Sequence, residues 1–336
     1  GETRLGQSLS WLNPLLPFHE ALVHAAGRGA KFAIVGIPED IGPRANGGQG
    51  GAHQGYAAFL SRFVNLQEND FIRANQIIVV GQVQVDDLQQ QASVLSASDE
   101  VQLAQLRTLC AELDKRVVSV LQPLFEHGFI PIVIGGGHNN ALPILQALAM
   151  HSGTPADAIN LDPHCDFRLL EGRHSGNGFS YAHQSGWLRR YYVVGLHEQK
   201  NSQAALAMLK SAHAGFTSFQ QLVQRRAIDW PHALEQALAF VGDEAARPLG
   251  IELDTDAITG MPASAITHSG VSVADAEHYV WRLAQSPRVR YLHLAEAAPQ
   301  MHPAGLAAGT NMAGQVLCSL VLAFIQSLQS ADVGVG

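Results

Sequence analysis

The segment that decides the interpretation of this chain is Ile159-Asn160-Leu161-Asp162-Pro163-His164-Cys165-Asp166-Phe167-Arg168. A short apolar run leads into three potential metal ligands, Asp162, His164 and Asp166, which are spaced at every second residue. Residues two apart in an extended strand face the same side, so we expect these side chains to project together. The alternative is a polar loop that leaves a strand, because acidic loops are common.

The composition favours a protein that acts on a small molecule. The chain has 336 residues, of which 47% are hydrophobic and 15% charged, and its formal net charge is -8. Scattered basic residues disfavour a nucleic-acid partner. We see no apolar run near the roughly 20 residues of a membrane-spanning helix and no signal-peptide layout, so we expect a cytoplasmic protein without a membrane partner.

Cysteine usage is consistent with a reducing compartment. The three cysteines, Cys110, Cys165 and Cys318, are odd in number and far apart, which disfavours a disulfide framework. Alternation along the strand points Cys165 away from the neighbouring ligands. We therefore interpret it as a small buried residue rather than a ligand or nucleophile.

Short apolar strands alternate with helices along the chain, which predicts crossover units and a parallel sheet. The predicted strands lie at 31–37, 76–81, 129–134, in the run before Asp162, and at 191–196, 248–254 and 290–296. The predicted helices lie at 100–127, 139–151, 201–212, 218–226, 273–284 and 311–328. No linker, repeat or charge run divides the sequence, so we predict a single domain over residues 1–336.

Two segments near the N-terminus are predicted to be loops. The glycine-rich segment 41–52 lacks both the lysine of a P-loop and the GxGxxG spacing, so it is expected to line a site without cradling a nucleotide. The polar segment 86–99 is rich in Gln, Asp and Ser and lacks a clear apolar period. It is predicted to be an irregular connection.

Further candidate ligands follow two other predicted strands. His138 follows the turn Gly135-Gly136-Gly137 at the carboxyl end of a strand, where open α/β sheets bind their ligands. Asp254 and Asp256 end another apolar run, again two residues apart. The complete set of six candidate ligands is His138, Asp162, His164, Asp166, Asp254 and Asp256.

This ligand set predicts a dinuclear hydrolytic centre. Carboxylates with some imidazole suit divalent first-row metals such as Mn²⁺, with Zn²⁺ and Fe²⁺ as alternatives. Six protein ligands exceed the need of one open catalytic ion, so two bridged ions are implied, and ions about 3.5 to 4 Å apart lower the pKa of a shared water toward neutrality. We expect hydrolytic attack on a trigonal carbon, with a nearby acid protonating the leaving group.

The motifs together resemble the ureohydrolase superfamily of arginases, agmatinases and formimidoylglutamases. The segment 46–52 is similar to the family's NGGRxGA, although Gln49 replaces the arginine. GGGH at 135–138, DPHCD at 162–166, DTD at 254–256 and an E-x-x-P element at 296–299 follow in the family's order.

The resemblance implies a fold, a cofactor and a reaction. The implied fold is a three-layer αβα sandwich with a mainly parallel sheet of about eight strands. The implied cofactor is two Mn²⁺ per subunit, the reaction is cleavage of a C–N bond in an amidino or formimino group, and the implied assembly is a homotrimer or homohexamer.

The loop after the opening segment bears on the subgroup. Phe179 stands where arginases carry a proton-shuttle histidine, which disfavours arginase. Agmatinases resemble HGTxF, with a histidine where Ser175 stands here, although His174 is one place away. Arg168, Ser175 and Phe179 match the HxDxR and SGTxF patterns of formimidoylglutamases, with Asn177 in place of the threonine.

That match implies hydrolysis of N-formimidoyl-L-glutamate to L-glutamate and formamide, and thus a role in histidine catabolism. The candidate catalytic residues are Asp166 and Glu296. Arg168 is suited to pair with a substrate carboxylate, or alternatively Arg168 or Arg173 balances the acidic metal cluster. Glu296 is suited to pair with a cationic formimino or guanidinium group, or is only a supporting or surface residue. The candidate substrate-binding residues are Arg168, Ser175, Asn177 and Glu296.

Departures from the family pattern keep two alternatives open. Asp256 is followed by Ala257 and Ile258, where the family continues to a further aspartate and proline, and Gln49 and Asn177 also differ. One alternative is a divergent arginase-like or agmatinase-like enzyme that acts on a guanidino substrate. The other is a non-catalytic member that keeps the fold as a binding or regulatory subunit.

Overall fold

The computed structural model describes residues 2–331. Within these residues a sheet of nine strands runs through the centre, in the order β1-β3-β2-β4-β9-β8-β5-β6-β7. All pairings between these strands are parallel, which confirms the predicted sheet. The strands are β1 Ser10–Trp11, β2 Phe32–Gly36, β3 Ile77–Gln82, β4 Ile130–Ile134, β5 Ala156–Leu161, β6 Leu188–Leu196, β7 Gly215–Ser218, β8 Leu249–Asp254 and β9 Val289–Ala295.

Helices cover both faces of the sheet and form the outer layers of the predicted αβα sandwich. They are α1 Leu5–Ser8, α2 Phe18–Gly27, α3 Ile41–Ala45, α4 Gly55–Phe63, α5 Asp86–Ser93, α6 Glu100–Glu126, α7 Ala141–Ser152, α8 Gly178–Gln184, α9 Gln203–Ser211, α10 Trp230–Val241, α11 Val273–Ala284 and α12 Leu306–Ala331.

The hydrophobic core has two halves, one on each face of the sheet. In β4, Ile132 and Ile134 belong to one buried cluster and Val133 to the other. Neighbouring side chains of a strand point to opposite faces, and both faces are covered by helices. The central strands therefore appear in the sequence as continuous apolar runs, which is why they could be predicted.

The prediction of loops at 41–52 and 86–99 was partly wrong. Residues 86–93 form helix α5, in which Leu88 and Ala92, four positions apart, are buried. The Gln89 amide donates a 2.6 Å hydrogen bond to Asp40 Oδ1. Helix α5 is thus stabilised by the tertiary contacts of a few residues, although its polar composition by itself favours an irregular segment. The start of the glycine-rich segment forms the short helix α3.

Helix α12 contradicts the expectation that the sequence contains no apolar run long enough to cross a membrane. By length and composition alone, the helix over Leu306–Ser330 is long and apolar enough to cross a membrane. However, 56% of its most apolar window is buried inside the protein, and α12 packs against α4 and α11. The core helix of a soluble protein has the same properties, so its apolar residues are explained by packing within the chain.

The strand order brings together the segments that carry the motifs. Strands β4, β9, β8 and β5 are consecutive neighbours in the sheet. Because all four are parallel, their carboxyl ends meet at one edge. In open parallel sheets this edge is where ligands bind.

Candidate metal centre

Each of the four central strands delivers site residues at its carboxyl end. His138 begins a short 3-10 turn after β4, Asp162 directly follows β5, Asp254 is the last residue of β8, and Glu296 directly follows β9. Distant parts of the sequence are thereby brought within a few ångströms of each other.

The six predicted ligands form two adjacent groups, and within each group the potential ligand atoms lie within 4.8 Å of one another. Asp162 and Asp254 belong to both groups. The first group is His138, Asp162, Asp166 and Asp254, and the second is Asp162, His164, Asp254 and Asp256. Two four-residue groups that share two carboxylates are the arrangement expected of a bridged pair of divalent ions.

The side chains of Asp162, His164 and Asp166 converge as predicted, but the expected alternation along a strand was wrong. Strand β5 ends at Leu161, so the ligands lie on the following loop instead of alternating along a strand. Asp166 has a φ of 46°, in the left-handed region, which turns the chain back toward His138. Cys165 is buried at 1% exposure, as predicted, and burial raises the pKa of its thiol to about 12.

The environment of His138 fits a metal ligand. Its Nδ1 atom lies 3.2 Å from Asp162, 3.0 Å from Asp166 and 3.7 Å from Asp254. Despite this proximity, Nδ1 is buried and has no partner with hydrogen-bond geometry in the part of the chain that the structure describes. Among the same residues, Oδ1 of Asp256 is likewise buried and unpartnered. Such atoms are rare in folded proteins, and carboxylates with imidazoles suit divalent first-row ions, so the residues fit a metal pair.

The electrostatics of the carboxylates also indicate bound cations. Burial and the charge of Asp162 raise the pKa of Asp166 to about 6. Burial and the neighbouring Asp256 and Asp162 raise the pKa of Asp254 well above its ordinary value. Burial favours neutral His138, but the surrounding carboxylates outweigh it and raise the pKa of His138. The protein alone thus resists full ionisation of the cluster, and metal ions would supply the missing positive charge.

A cavity of about 410 Å³ opens onto the ligands. The second-group ligands His164, Asp254 and Asp256 line it, together with Asp166 of the first group. Three of the four predicted substrate-binding residues, Arg168, Ser175 and Glu296, also line the cavity. Its size and position suit a small substrate held beside the metal groups.

Asn177, the fourth predicted substrate-binding residue, is placed inside the loop instead of on the cavity. It is fully buried, and its Nδ2 donates to the carbonyl oxygens of Leu169 and Gly172. Its Oδ1 accepts from Arg173 Nη1 at 2.7 Å and from the His174 amide at 3.1 Å. All of its polar atoms are therefore used to shape the loop.

The two arginines of this loop have different surroundings. Arg173 is buried and pairs with Asp114 at 2.8 Å, so it does not balance the metal cluster. Arg168 is 46% exposed at the cavity, where its guanidinium donates to Asn46 Oδ1 and to Glu171 Oε1. Neither of these partners is a ligand candidate, and Arg168 lines the cavity.

Glu296 combines strain with burial. Its φ is 70°, uncommon for a residue with a side chain, and burial raises the pKa of its carboxyl group to about 8. Its Oε1 accepts a 2.7 Å hydrogen bond from the His138 amide, and its Oε2 accepts from the Ser264 hydroxyl. The side chain thus contacts the first metal group on one side and lines the cavity on the other.

Sequence patterns did not reveal Lys200. This half-buried residue lines the cavity. Within residues 2–331 its ammonium group has no ion pair or side-chain hydrogen bond, and Glu198 in the same loop pairs with Arg225 instead. A lone lysine in a loop carries no motif that could have identified it.

Buried glutamates that support the site were also missed. Glu39 Oε1 accepts from the Gly137 amide at 2.6 Å and from Asn140 Nδ2 at 2.7 Å, and thereby holds the glycine turn before His138. Glu252, on β8, contacts the ring of His138 at 3.1 Å. Burial opposes ionisation of Glu252, but His293 and His138 outweigh it and lower its pKa to about 2. The sequence signal that could have identified Glu252 was its position within an apolar strand, two residues before the candidate ligand Asp254.

The comparisons with known proteins agree with this geometry. The sequence model of the arginase family matches residues 30–323. Formimidoylglutamase from Aromatoleum aromaticum is 26% identical over 286 residues, which are 82% of this chain and 78% of that protein.

Two solved structures share the fold. Formimidoylglutamase from Bacillus subtilis has a TM-score of 0.76 at 15% identity, covering 98% of this chain and 92% of that one. Trypanosoma cruzi formiminoglutamase with Mn²⁺ has a TM-score of 0.71 at 20% identity, covering 97% and 99%. At these identities the structural likeness bears on the fold alone.

Proposed function

The chain belongs to the arginase family, and on that premise we propose that it hydrolyses N-formimidoyl-L-glutamate to L-glutamate and formamide. The observation that carries the proposal of a hydrolase is the pair of ligand groups sharing Asp162 and Asp254. The substrate is supported by the relatives, because formimidoylglutamases from several bacteria match most of the chain.

The six ligands His138, Asp162, His164, Asp166, Asp254 and Asp256 would hold two divalent ions. Mn²⁺ is the proposed metal, since a structural relative is described with it and the ligand types suit it. When bound, such an ion pair supplies a hydrolytic nucleophile at neutral pH by lowering the pKa of water. The protein supplies the positions of the substrate and of the protons.

Two acidic residues are placed to act on the substrate. Asp166 belongs to one ligand group only and lines the cavity, so its carboxylate can pass a proton to the leaving nitrogen. Glu296 lines the same cavity and can accept a hydrogen bond from the formimino group. In the reaction, water adds its oxygen to the formimino carbon, the bond from that carbon to the glutamate nitrogen breaks, and that nitrogen takes the proton.

Two cationic residues fit a substrate with two carboxylates. Arg168 and Lys200 both line the cavity, and Ser175 adds a hydroxyl group there. Arginine can bind a carboxylate through two parallel hydrogen bonds, whereas lysine acts as a point charge. A guanidino substrate with one carboxylate would leave one of the two cations without a partner.

A substrate panel tests the proposal. Protein loaded with Mn²⁺, Zn²⁺ or Fe²⁺ is incubated with N-formimidoyl-L-glutamate, L-arginine or agmatine, and formamide, urea and ammonia are measured. We expect formamide from the first compound only when metal is present. Turnover of arginine or agmatine without turnover of formimidoylglutamate would exclude the proposed substrate. Purified protein that binds no stoichiometric metal would support a non-catalytic role.

We also propose a single domain over residues 1–336, which the continuous sheet supports. The proposed reaction would place the protein in histidine catabolism. All three cysteines are free and buried, which supports the cytoplasm as the location. We propose a homo-oligomer, which sedimentation of the purified protein would test.

A further inference from the structure

A second buried cluster lies behind His138, on the side of the imidazole ring opposite the first metal group. It consists of Glu252 on β8 and of Tyr291 and His293 on β9, all with 0% exposure. Glu252 and His293 are paired in the register of the two strands, so their side chains start from neighbouring positions on the same face. Neither Glu252 nor His293 is needed to complete the two metal groups.

The cluster converges on one carboxylate. Glu252 Oε2 lies 3.1 Å from His138 Nε2 and 2.6 Å from His293 Nδ1. Glu252 Oε1 accepts a 2.6 Å hydrogen bond from the Tyr291 hydroxyl. In addition, the Tyr279 hydroxyl lies 2.9 Å from the backbone oxygens of both Glu252 and Ile159, so its one proton is shared between β8 and β5. The carboxylate is thus fixed from several sides.

The two nitrogens of His138 face opposite surroundings. Nδ1 points at the carboxylates of Asp162 and Asp166, where a metal ligand needs a free lone pair. The partner of Nε2 among residues 2–331 is an acceptor, Glu252 Oε2, so the proton of a neutral imidazole belongs on Nε2. A hydrogen-bonded carboxylate in this place orients a ligating histidine and raises its basicity.

We infer that Glu252 is a positioning residue, which holds His138 with Nδ1 directed at the first metal group and thereby sets the metal affinity of that group. The second group contains His164 in place of His138, so Glu252 acts on one of the two groups. This inference rests on the proposed metal centre and is independent of the substrate.

A third ion between His138, Glu252 and His293 is the competing explanation, since their ligand atoms also lie within 4.8 Å of one another. The distances of 2.6 Å and 3.1 Å from Glu252 Oε2 are hydrogen-bond distances. Tyr291 also occupies the other carboxylate oxygen. The geometry therefore favours a carboxylate that accepts hydrogen bonds over one that binds metal.

Metal titration of the Glu252→Gln variant tests the inference. The substitution keeps the shape but removes the charge and one acceptor. We expect the wild type to bind two ions. In the variant, the affinity for one of these ions should fall by about tenfold to a hundredfold, the range typical when a group hydrogen-bonded to a ligating histidine is replaced. The Glu235→Gln variant, which removes an exposed carboxylate on α10, should bind both ions as the wild type does.

A spectroscopic measurement on the wild type keeps the test valid if the variant does not fold. In zinc-loaded protein with ¹⁵N-labelled histidine, assigned with a His138→Gln variant, His138 should bind metal through Nδ1 and carry its proton on Nε2. Coordination through Nε2 would overturn the inference. So would a folded Glu252→Gln variant with wild-type affinity for both ions, or three ions per wild-type chain. Wild-type protein that binds no metal would instead refute the proposed centre.

Discussion

The division of ligands between the two groups leads to a prediction about single substitutions. Asp254 belongs to both groups, whereas Asp166 belongs only to the first and Asp256 only to the second. Asp254→Asn should therefore weaken the binding of both ions, and Asp166→Asn or Asp256→Asn should each weaken the binding of one. Asp166, the last residue of the DPHCD motif, is thus not one of the two shared carboxylates.

The expected magnitude follows from the spacing of the ligands. Potential ligand atoms within a group lie within 4.8 Å of one another, so a bound ion would lie close to each carboxylate. A unit charge and a divalent ion about 4 Å apart interact by about 8 kcal/mol at an effective dielectric constant of about 20. We therefore expect an affinity loss of at least about a thousandfold for each ion that loses a carboxylate, since about 4 kcal/mol already corresponds to that factor.

Calorimetric titration with Mn²⁺, combined with metal analysis after dialysis, would measure this effect. Asp70→Asn removes an exposed aspartate outside both groups and serves as the control. The reasoning is refuted if Asp254→Asn retains one ion at wild-type affinity, or if Asp166→Asn loses both. Thermal unfolding of the metal-free variants would show whether the fold is retained.

Three further predictions concern the cavity and the stability of the fold. Lys200→Met should raise KM for formimidoylglutamate by about tenfold to a hundredfold, the value of a charge-assisted hydrogen bond, with little change in kcat. The exposed Lys210→Met on α9 is its control, and an unchanged KM would contradict the role of Lys200. Arg173→Met leaves the buried Asp114 without its partner and should lower the free energy of unfolding by about 3 to 5 kcal/mol in urea titrations. Burial opposes ionisation of Asp40, but hydrogen bonds from His53, Gly51 and Gln89 lower its pKa to about 2. Because this pKa is below the ordinary 3.8, ionised Asp40 stabilises the fold fully above pH 3.8, and this stabilisation is lost as the pH falls toward 2. The Asp40→Asn substitution should therefore lower the free energy of unfolding less at pH 3 than at pH 6.

Local patterns were sufficient to predict the central strands and to select the six candidate ligands that the fold brings together. The strands are buried on both faces, so they stand out as apolar runs that end in polar residues. The edge strands β1 and β7 were not predicted. They have two and four residues, and their pairing depends on neighbouring strands more than on their own composition.

The sequence by itself determined the alternation of strands and helices, and it placed six potential ligands at strand ends. Only the tertiary structure decided which ligands are shared, because Asp162 and Asp254 come together through the pairing of β5 with β8. The same applies to Glu252 and Lys200, whose roles depend on neighbours far away in the chain. A single side chain carries no periodic signal, so its function is decided by the groups that the fold places around it.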